Sequence, residues 1–144
     1  MPVKETLPYV DARIPARADG TVRIVTWNIN SVRLRIELLK RLAQATDADV
    51  ICLQETKATN DVFPQAAIEA FGYPHQHFQG DKGYNGVAIV SRVPLKNHGR
   101  RLWAGREDSR HVEATLPGGI ELHCVYVPAG AARARTRGST STAS

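Results

Sequence analysis

The fold is decided by VRIVTWNIN (22–30) and DVICLQETK (49–57), two apolar runs that each end in polar residues. Such short β-branched and aliphatic runs are typical of buried strands. Asn28 and Asn30 stand at the end of the first run, and Glu55 stands at the end of the second. Because open α/β sheets gather their sites at the carboxyl ends of strands, we expect these side chains to lie close together. One carboxylate beside amide oxygens suits Mg²⁺, or Mn²⁺ in its place.

The segment between the two runs has a helical period. Ser31 is a candidate N-cap, and the apolar positions that follow it recur every three or four residues; they are Val32, Ile36, Leu39 and Leu42/Ala43. Residues 22–55 therefore predict a strand, a helix and a second strand that pairs parallel to the first.

The remaining pattern predicts a mixed-sheet α/β class. A second helix is expected to start at Asn60 or Asp61, with Pro64 in its first turn, and to stop at Gly72. Strands are expected at 75–79 and 86–92, residues 96–109 are expected to form a loop, and a hairpin is expected over 111–116 and 120–127.

Length and charge bound the possibilities. The chain has 144 residues, enough for one domain. Its net charge is +5, but three arginines lie in residues 131–144, so residues 1–130 carry only +2. This balance permits nucleic-acid binding without proving it. We expect an extended arm at 1–21, a domain at 22–130 and a disordered Ala/Arg/Ser/Thr tail at 131–144.

Cysteine and apolar usage indicate a cytoplasmic protein with no membrane segment. Cys52 and Cys124 stand in apolar runs, where two buried thiols are favoured over a disulfide. No apolar run approaches the ~18 residues of a membrane span, and the N-terminus has no secretory signal.

Histidines form no complete metal motif. His111 and His123 are candidate neighbours in the hairpin, but without a third ligand a zinc site is disfavoured; the other histidines are His75, His77 and His98.

Four strings in order resemble one known family, exonuclease III, the bacterial apurinic/apyrimidinic endonuclease of the endonuclease/exonuclease/phosphatase superfamily. The strings are WNINSVR (27–33), DVICLQETK (49–57), KGYNGVAI (82–89) and VYVP (125–128). The resemblance covers about residues 22–130. It implies the first half of a four-layer α/β sandwich, with two mixed sheets face to face and helices outside. It also implies divalent-metal-dependent phosphodiester hydrolysis in double-stranded DNA, at abasic sites and 3′ ends.

The resemblance assigns roles to the residues at the strand ends. Glu55 is similar to the family's metal ligand, Asn28 to the asparagine that holds the metal-site carboxylates and the scissile phosphate, and Tyr126 to a tyrosine that contacts the phosphate. Positions near the DNA backbone or the site are matched by Asn30, Arg33, Lys57, Tyr84 and Arg110. Ordinary structural roles stay open: Glu55 in a salt bridge with Lys57, Tyr126 in the core, and the arginines on a solvated surface.

The family's later motifs, a Gly-Asp-x-Asn string and a closing Ser-Asp-His, do not occur in these 144 residues. We interpret the change of composition after Gly130 as a frameshift or truncation, and expect the chain alone to be inactive. No stable oligomer is expected. Two alternatives remain: a superfamily phosphoesterase with another substrate, such as a phosphoinositide or sphingomyelin, and a non-catalytic DNA-binding or complementing fragment.

Overall fold

Two strands that are buried on both faces form the centre of the larger sheet in the computed structural model, which describes residues 21–81, 85–99 and 109–128. The two strands are β2 and β4, and their aliphatic residues alternate between the helices on one side and the second sheet on the other. The elements are β1 (Ile24–Asn28), α1 (Ile36–Thr46), β2 (Val50–Gln54), α2 (Gln65–Ala70), β3 (His75–Gln79), β4 (Val87–Ser91), β5 (Lys96–Gly99), β6 (His111–Leu116) and β7 (Ile120–Val125).

The larger sheet has the order β1-β2-β4-β3, with β1 parallel to β2 and the other pairs antiparallel. The parallel pair and the helix between its strands confirm the expected strand–helix–strand unit. The smaller sheet, β5-β6-β7, is antiparallel throughout.

Two apolar layers hold the sheets and helices together. One lies between the larger sheet and helices α1 and α2, and is built around Ile51, Leu53, Leu39 and Ile68. The other lies between the two sheets, where Val112, Ala114, Leu116 and Cys124 pack against Val50, Cys52, Val87 and Ile89. Helices outside a sheet and a second sheet on its inner face are the expected sandwich class, which is confirmed.

The start of α1 was predicted wrongly. Ser31 does not cap the helix, which begins at Ile36. Ser31 has a φ of 88°, and its Oγ accepts a hydrogen bond from the Leu34 N–H at 3.3 Å. The first turn of the predicted helix is therefore a separate turn, whose shape is set by the contacts of the preceding loop.

Two further boundaries differ from the sequence prediction. Pro64 precedes α2 instead of lying in its first turn. Residues 96–99 form β5 instead of a loop, because pairing with β6 supplies the order that their polar sequence does not. The predicted arm (1–20 of 1–21), Tyr84, the loop at 100–108 and the tail at 131–144 lie outside the described residues.

Candidate metal and phosphate site

The polar ends of five strands meet at one end of the sandwich. Asn28 and Gln54 are paired as the last residues of β1 and β2. Strand β4 runs antiparallel to β2, so the Asn85–Gly86 loop before it lies at the same end. Arg110 precedes β6 and Tyr126 follows β7, and the Tyr126 N–H donates to the Arg110 carbonyl at 2.8 Å. Both sheets therefore contribute side chains to one place.

Backbone hydrogen bonds join the loops at this end. The Ser31 N–H donates to the Glu55 carbonyl at 2.8 Å, and the Lys57 N–H donates to the Asn85 carbonyl at 2.9 Å. The Gly86 N–H donates to the Ser109 carbonyl at 3.0 Å. The loop after β1 is thus tied to the loop after β2, then to the loop before β4, and finally to the second sheet.

Left-handed backbone is concentrated in these loops. Glu55 and Lys57 have φ values of 53° and 51°, and Asn30 has a φ of 49°. This conformation is uncommon for residues other than glycine, and each such residue costs on the order of 1–3 kcal/mol unless its surroundings hold it. The hydrogen bonds between the loops supply that restraint. They hold the backbone of Glu55 in this conformation, and the backbone conformation sets the direction in which the Glu55 side chain leaves the loop.

Glu55 is the centre of the side-chain contacts. Its Oε2 accepts a hydrogen bond from the Asn28 amide nitrogen at 2.7 Å. Its Oε1 lies 3.7 Å from the Lys57 ammonium, and the Glu55 side chain is 23% exposed. The Lys57 ammonium in turn donates to the Asn30 Oδ1 at 2.6 Å. Asn28, Asn30, Glu55 and Lys57, four residues singled out in the sequence, therefore form one network.

Tyr126 joins this network from the second sheet. Desolvation raises the pKa of Tyr126 above its ordinary value, and the Glu55 carboxylate raises it further, through its charge and by accepting a hydrogen bond from the hydroxyl. The Arg110 guanidinium acts in the opposite direction. Both Tyr126 and Arg110 thus lie within electrostatic reach of the site.

Arg33 lies within electrostatic reach of Asp61. It is exposed and its charge acts on Asp61, whose pKa is lowered chiefly by a hydrogen bond from Thr59 and in small part by Arg33. Tyr84 lies outside the described residues.

Arg35 is a site residue that the sequence did not single out. Its guanidinium donates to the Asn30 carbonyl and so holds the loop after β1. The alternating charges of residues 33–41 resemble a solvated helix face, and no signal in the sequence separates Arg35 from its neighbours.

The oxygen donors at Glu55 fit a hard divalent cation. The site offers one carboxylate, two amide side chains and a phenol, which is the donor chemistry that Mg²⁺ takes when it keeps several waters. Asn28 turns its amide nitrogen toward Glu55, so it orients the carboxylate. Over residues 21–81, 85–99 and 109–128, Glu55 belongs to no group of three close His, Cys, Asp or Glu side chains, so the carboxylate would be the one charged ligand there.

Comparison with known proteins agrees with this architecture. The family model described as the endonuclease/exonuclease/phosphatase family matches residues 25–141. The chain belongs to that family, and the relatives that it resembles include exonuclease III and apurinic/apyrimidinic endonuclease proteins.

One relative by sequence is exodeoxyribonuclease III of Haemophilus influenzae, 33% identical over 78% of this chain and 44% of its own length. Among solved structures, an AP endonuclease from Archaeoglobus fulgidus matches with a TM-score of 0.70 and 35% identity, over 76% of this chain and 42% of that one. A 3′ phosphatase from Neisseria, bound to product DNA hairpin, gives 0.69 and 36%, over 74% and 41%.

The chain spans less than half the length of these relatives. In the part of the chain that the structure describes, neither helix has the length and apolar character needed to cross a bilayer.

Proposed function

We propose that this chain carries the metal-binding half of a DNA-repair nuclease site, of the exonuclease III and apurinic/apyrimidinic endonuclease type. The observation that carries the proposal is the Glu55 carboxylate, held at the joined strand ends by Asn28 and Lys57, with Tyr126 within electrostatic reach. The proposed substrate is double-stranded DNA with an abasic site or a 3′ end. The names of the relatives support this substrate class, because each describes an enzyme of DNA or of abasic sites.

The proposed metal is Mg²⁺ or Mn²⁺, held by Glu55. When bound, such an ion polarises a phosphoryl oxygen as a Lewis acid. Asn28 keeps the carboxylate in one orientation through its amide nitrogen. Lys57 balances the charge of Glu55 before a ligand arrives and fixes Asn30 through its side-chain oxygen.

Three groups are proposed to receive the phosphate. The Tyr126 hydroxyl is protonated at neutral pH, as an ordinary tyrosine is, and its raised pKa does not change this, so it remains a hydrogen-bond donor. Lys57 and Arg110 bring positive charge to the same end of the sandwich. Positive charge in a cleft attracts the DNA backbone, and the attraction weakens as salt rises.

We further propose that the 144 residues alone do not cleave DNA measurably. Glu55 is the one carboxylate in the described network. If Glu55 holds the metal, the network has no second carboxylate that could deprotonate the attacking water. General acid–base help is typically worth ~10²–10⁴ in rate. The domain boundary at residue 130 is part of this proposal.

Metal binding tests the proposed site directly. Mn²⁺ added to the purified chain is expected to bind one site, measured by the loss of free-Mn²⁺ signal in electron paramagnetic resonance. Glu55→Gln removes the charged ligand and is expected to weaken binding at least about tenfold, or about 1.4 kcal/mol. Glu69→Gln is the matched control, because Glu69 is exposed on α2. Equal binding by both variants would contradict the proposal.

Substrate assays test separately which substrate the chain binds and whether the chain alone can cleave it. Abasic-site duplex is expected to bind more tightly than intact duplex, with a steep salt dependence and no cleavage in Mg²⁺. Cleavage that is lost in Glu55→Ala would show that the chain suffices for catalysis. Phosphate release from phosphoinositides, without release from DNA, would place the chain among the superfamily's other phosphoesterases.

A further inference from the structure

We propose that His111, Glu113 and His123, on the outer face of the β6–β7 hairpin, form a binding site for a transition-metal dication, with Zn²⁺ the best match. None of these residues belongs to the Glu55 network. In the described ranges they are the one group of three potential ligands whose binding atoms all lie within 4.8 Å of one another.

The hairpin register brings the three side chains together. Glu113 and His123 are direct cross-strand partners, and His111 lies two residues before Glu113 on β6. Because side chains alternate across a strand, all three project from the same face. The opposite face carries Val112, Ala114 and Cys124 into the layer between the sheets. Apolar packing therefore fixes the strands whose other face presents the ligands.

The distances match a metal without a change of backbone. The His111 Nε2 lies 2.9 Å from the His123 Nδ1, and each of these atoms lies 3.7 Å from the Glu113 Oε1. A triangle with sides of 2.9, 3.7 and 3.7 Å has a circumradius of about 2.0 Å, which equals the usual Zn–N and Zn–O bond lengths of about 2.0–2.2 Å. An ion near the centre of this triangle is within bonding distance of all three atoms.

The ligand types select the metal. Two imidazoles and one carboxylate are the ligand set of many zinc enzymes, with water in a fourth position. Imidazole nitrogen suits Zn²⁺, Cu²⁺ and Ni²⁺, whereas Mg²⁺ prefers oxygen alone. This donor set therefore differs from the oxygen-only set at Glu55, and the two sites are expected to discriminate between zinc and magnesium.

A supporting carboxylate is already in place. The His123 Nε2 lies 3.0 Å from the Glu121 Oε1. A carboxylate on the far nitrogen of a ligating histidine fixes its tautomer and increases its basicity. With Nε2 bonded to Glu121, the His123 Nδ1 is left as the atom that faces the other two ligands.

The three ligand side chains differ in their exposure to solvent. The His111 side chain is 1% exposed, whereas Glu113 and His123 are 22% and 32% exposed. An ion can reach the site from solvent on the side of Glu113 and His123, whereas His111 is buried. The competing reading is a hydrogen-bonded pair of imidazoles that takes no metal.

The site would also fix the ends of the strands that carry Arg110 and Tyr126. His111 directly follows Arg110, and His123 lies three residues before Tyr126. A bound zinc would join β6 and β7 where those two residues leave the hairpin. Its role is therefore structural support of the neighbouring phosphate-facing residues.

Metal titration of the full 144-residue chain tests the proposal. Zn²⁺ alone is expected to bind one site in isothermal titration and to raise the melting temperature. Co²⁺, used as a spectroscopic probe, is expected to give the intense visible absorption of a four-coordinate complex, and Zn²⁺ is expected to remove it. An excess of Mg²⁺ is expected not to compete.

Variants then assign the ligands. His123→Gln and Glu113→Gln are expected to weaken Zn²⁺ binding by more than about 100-fold, and Glu121→Gln by about 10–100-fold. These positions are used because His111 is buried and its substitution risks unfolding the chain. Circular dichroism without metal checks that each variant is folded. Glu55→Gln and Glu69→Gln are controls that are expected to bind Zn²⁺ normally.

Two results would overturn the proposal: no saturable Zn²⁺ binding by the folded chain, or binding that His123→Gln and Glu113→Gln leave unchanged. Weaker binding in Glu55→Gln instead would locate the zinc at the other site. The proposal is independent of the nuclease proposal, since a failure of Mn²⁺ binding at Glu55 leaves it standing.

Discussion

At the scale of single residues, the Glu55 site depends on a close approach between the loop after β2 and the loop before β4. A Cβ atom added to Gly86 would lie 2.1 Å from the Thr56 Oγ1 and 3.2 Å from the Lys57 nitrogen, and Gly86 has a φ of 95°. Thr56 is 1% exposed and cannot move aside easily. Thr56, which lies between Glu55 and Lys57, can therefore occupy its position only because Gly86 has no side chain.

Gly86→Ala is expected to destabilise the chain by about 1–3 kcal/mol through overpacking and to weaken Mn²⁺ binding at Glu55. Chemical denaturation and the Mn²⁺ titration measure the two effects. Gly118→Ala is the matched control, because Gly118 has a φ of 89° but nothing within 4 Å of an added Cβ. Equal losses in the two variants would mean that backbone conformation, and not the contact with Thr56, decides the cost.

The phenol of Tyr126 gives a pH prediction. Desolvation and Glu55 raise its pKa, whereas an unfolded tyrosine titrates near about 10. Any stability from this group is fully present below the unfolded value and is lost as pH rises through the raised folded value. In a spectrophotometric titration, Glu55→Gln is expected to shift one tyrosine back toward its ordinary pKa. Tyr126→Phe should remove that transition, and a titration unchanged in Glu55→Gln would refute the contact.

At the scale of elements, the apolar pattern predicted most strands and both helices. It did not predict the order that polar segments gain from pairing with other strands or loops. The continuous runs of β2 and β4 were recognisable because both faces are buried. The polar β5 was missed because its order comes from β6. The Ser31 helix start was wrong because the hydroxyl of Ser31 accepts from the Leu34 N–H in a separate turn, and α1 begins only at Ile36.

The candidate site was predictable only in part, for a related reason. The strand-end residues Asn28, Glu55 and Lys57 were recognisable as polar groups directly after buried runs. Arg35 was not, because its contact is to a backbone carbonyl. Glu113 was not recognised as a third ligand, because the partnership of Glu113 and His123 depends on a register that the sequence does not state.

The two cysteines in the layer between the sheets are expected to be protected from chemical modification. Cys52 and Cys124 are both free and buried. Hydrogen bonding with Cys124, together with burial, raises the pKa of Cys52, and the Cys124 Sγ donates to the Leu53 carbonyl at 3.4 Å. Neither thiol is expected to react with an alkylating reagent in the folded chain, and both should react in denaturant.

Mass spectrometry after alkylation measures this protection. Glu69→Cys supplies an exposed thiol on α2 as a positive control that should react at once. Rapid labelling of Cys52 or Cys124 under native conditions would mean that the two sheets separate readily in solution.

At the scale of the whole molecule, the second sheet covers only part of the first. Strands β6 and β7 pack over β2, β3 and β4, while Ile24 on β1 faces the same side as Val50 and remains 42% exposed. Within the described residues, β1 and β7 are edge strands of their sheets, and edge strands are where chains associate most readily.

No stable oligomer is expected, but weak self-association is expected as the concentration rises, since an apolar residue on an edge strand favours edge-to-edge contact. Ile24→Thr should shift the onset of association to higher concentration in sedimentation velocity. Leu34→Ser is the control, because Leu34 is 75% exposed but lies in the turn before α1. A monomer at every concentration would contradict the expectation.

The hydrogen bonds between the strand-end loops bear on solvent exchange. The amides of Val32, Thr56 and Lys57 lie beyond the ends of their strands, yet each donates to a carbonyl of a neighbouring loop. Their deuterium uptake should therefore be as slow as that of the sheet interior. A map of amide protection would not mark this site as a mobile region, and a cation would find Glu55 already in place, with little chain entropy left to lose.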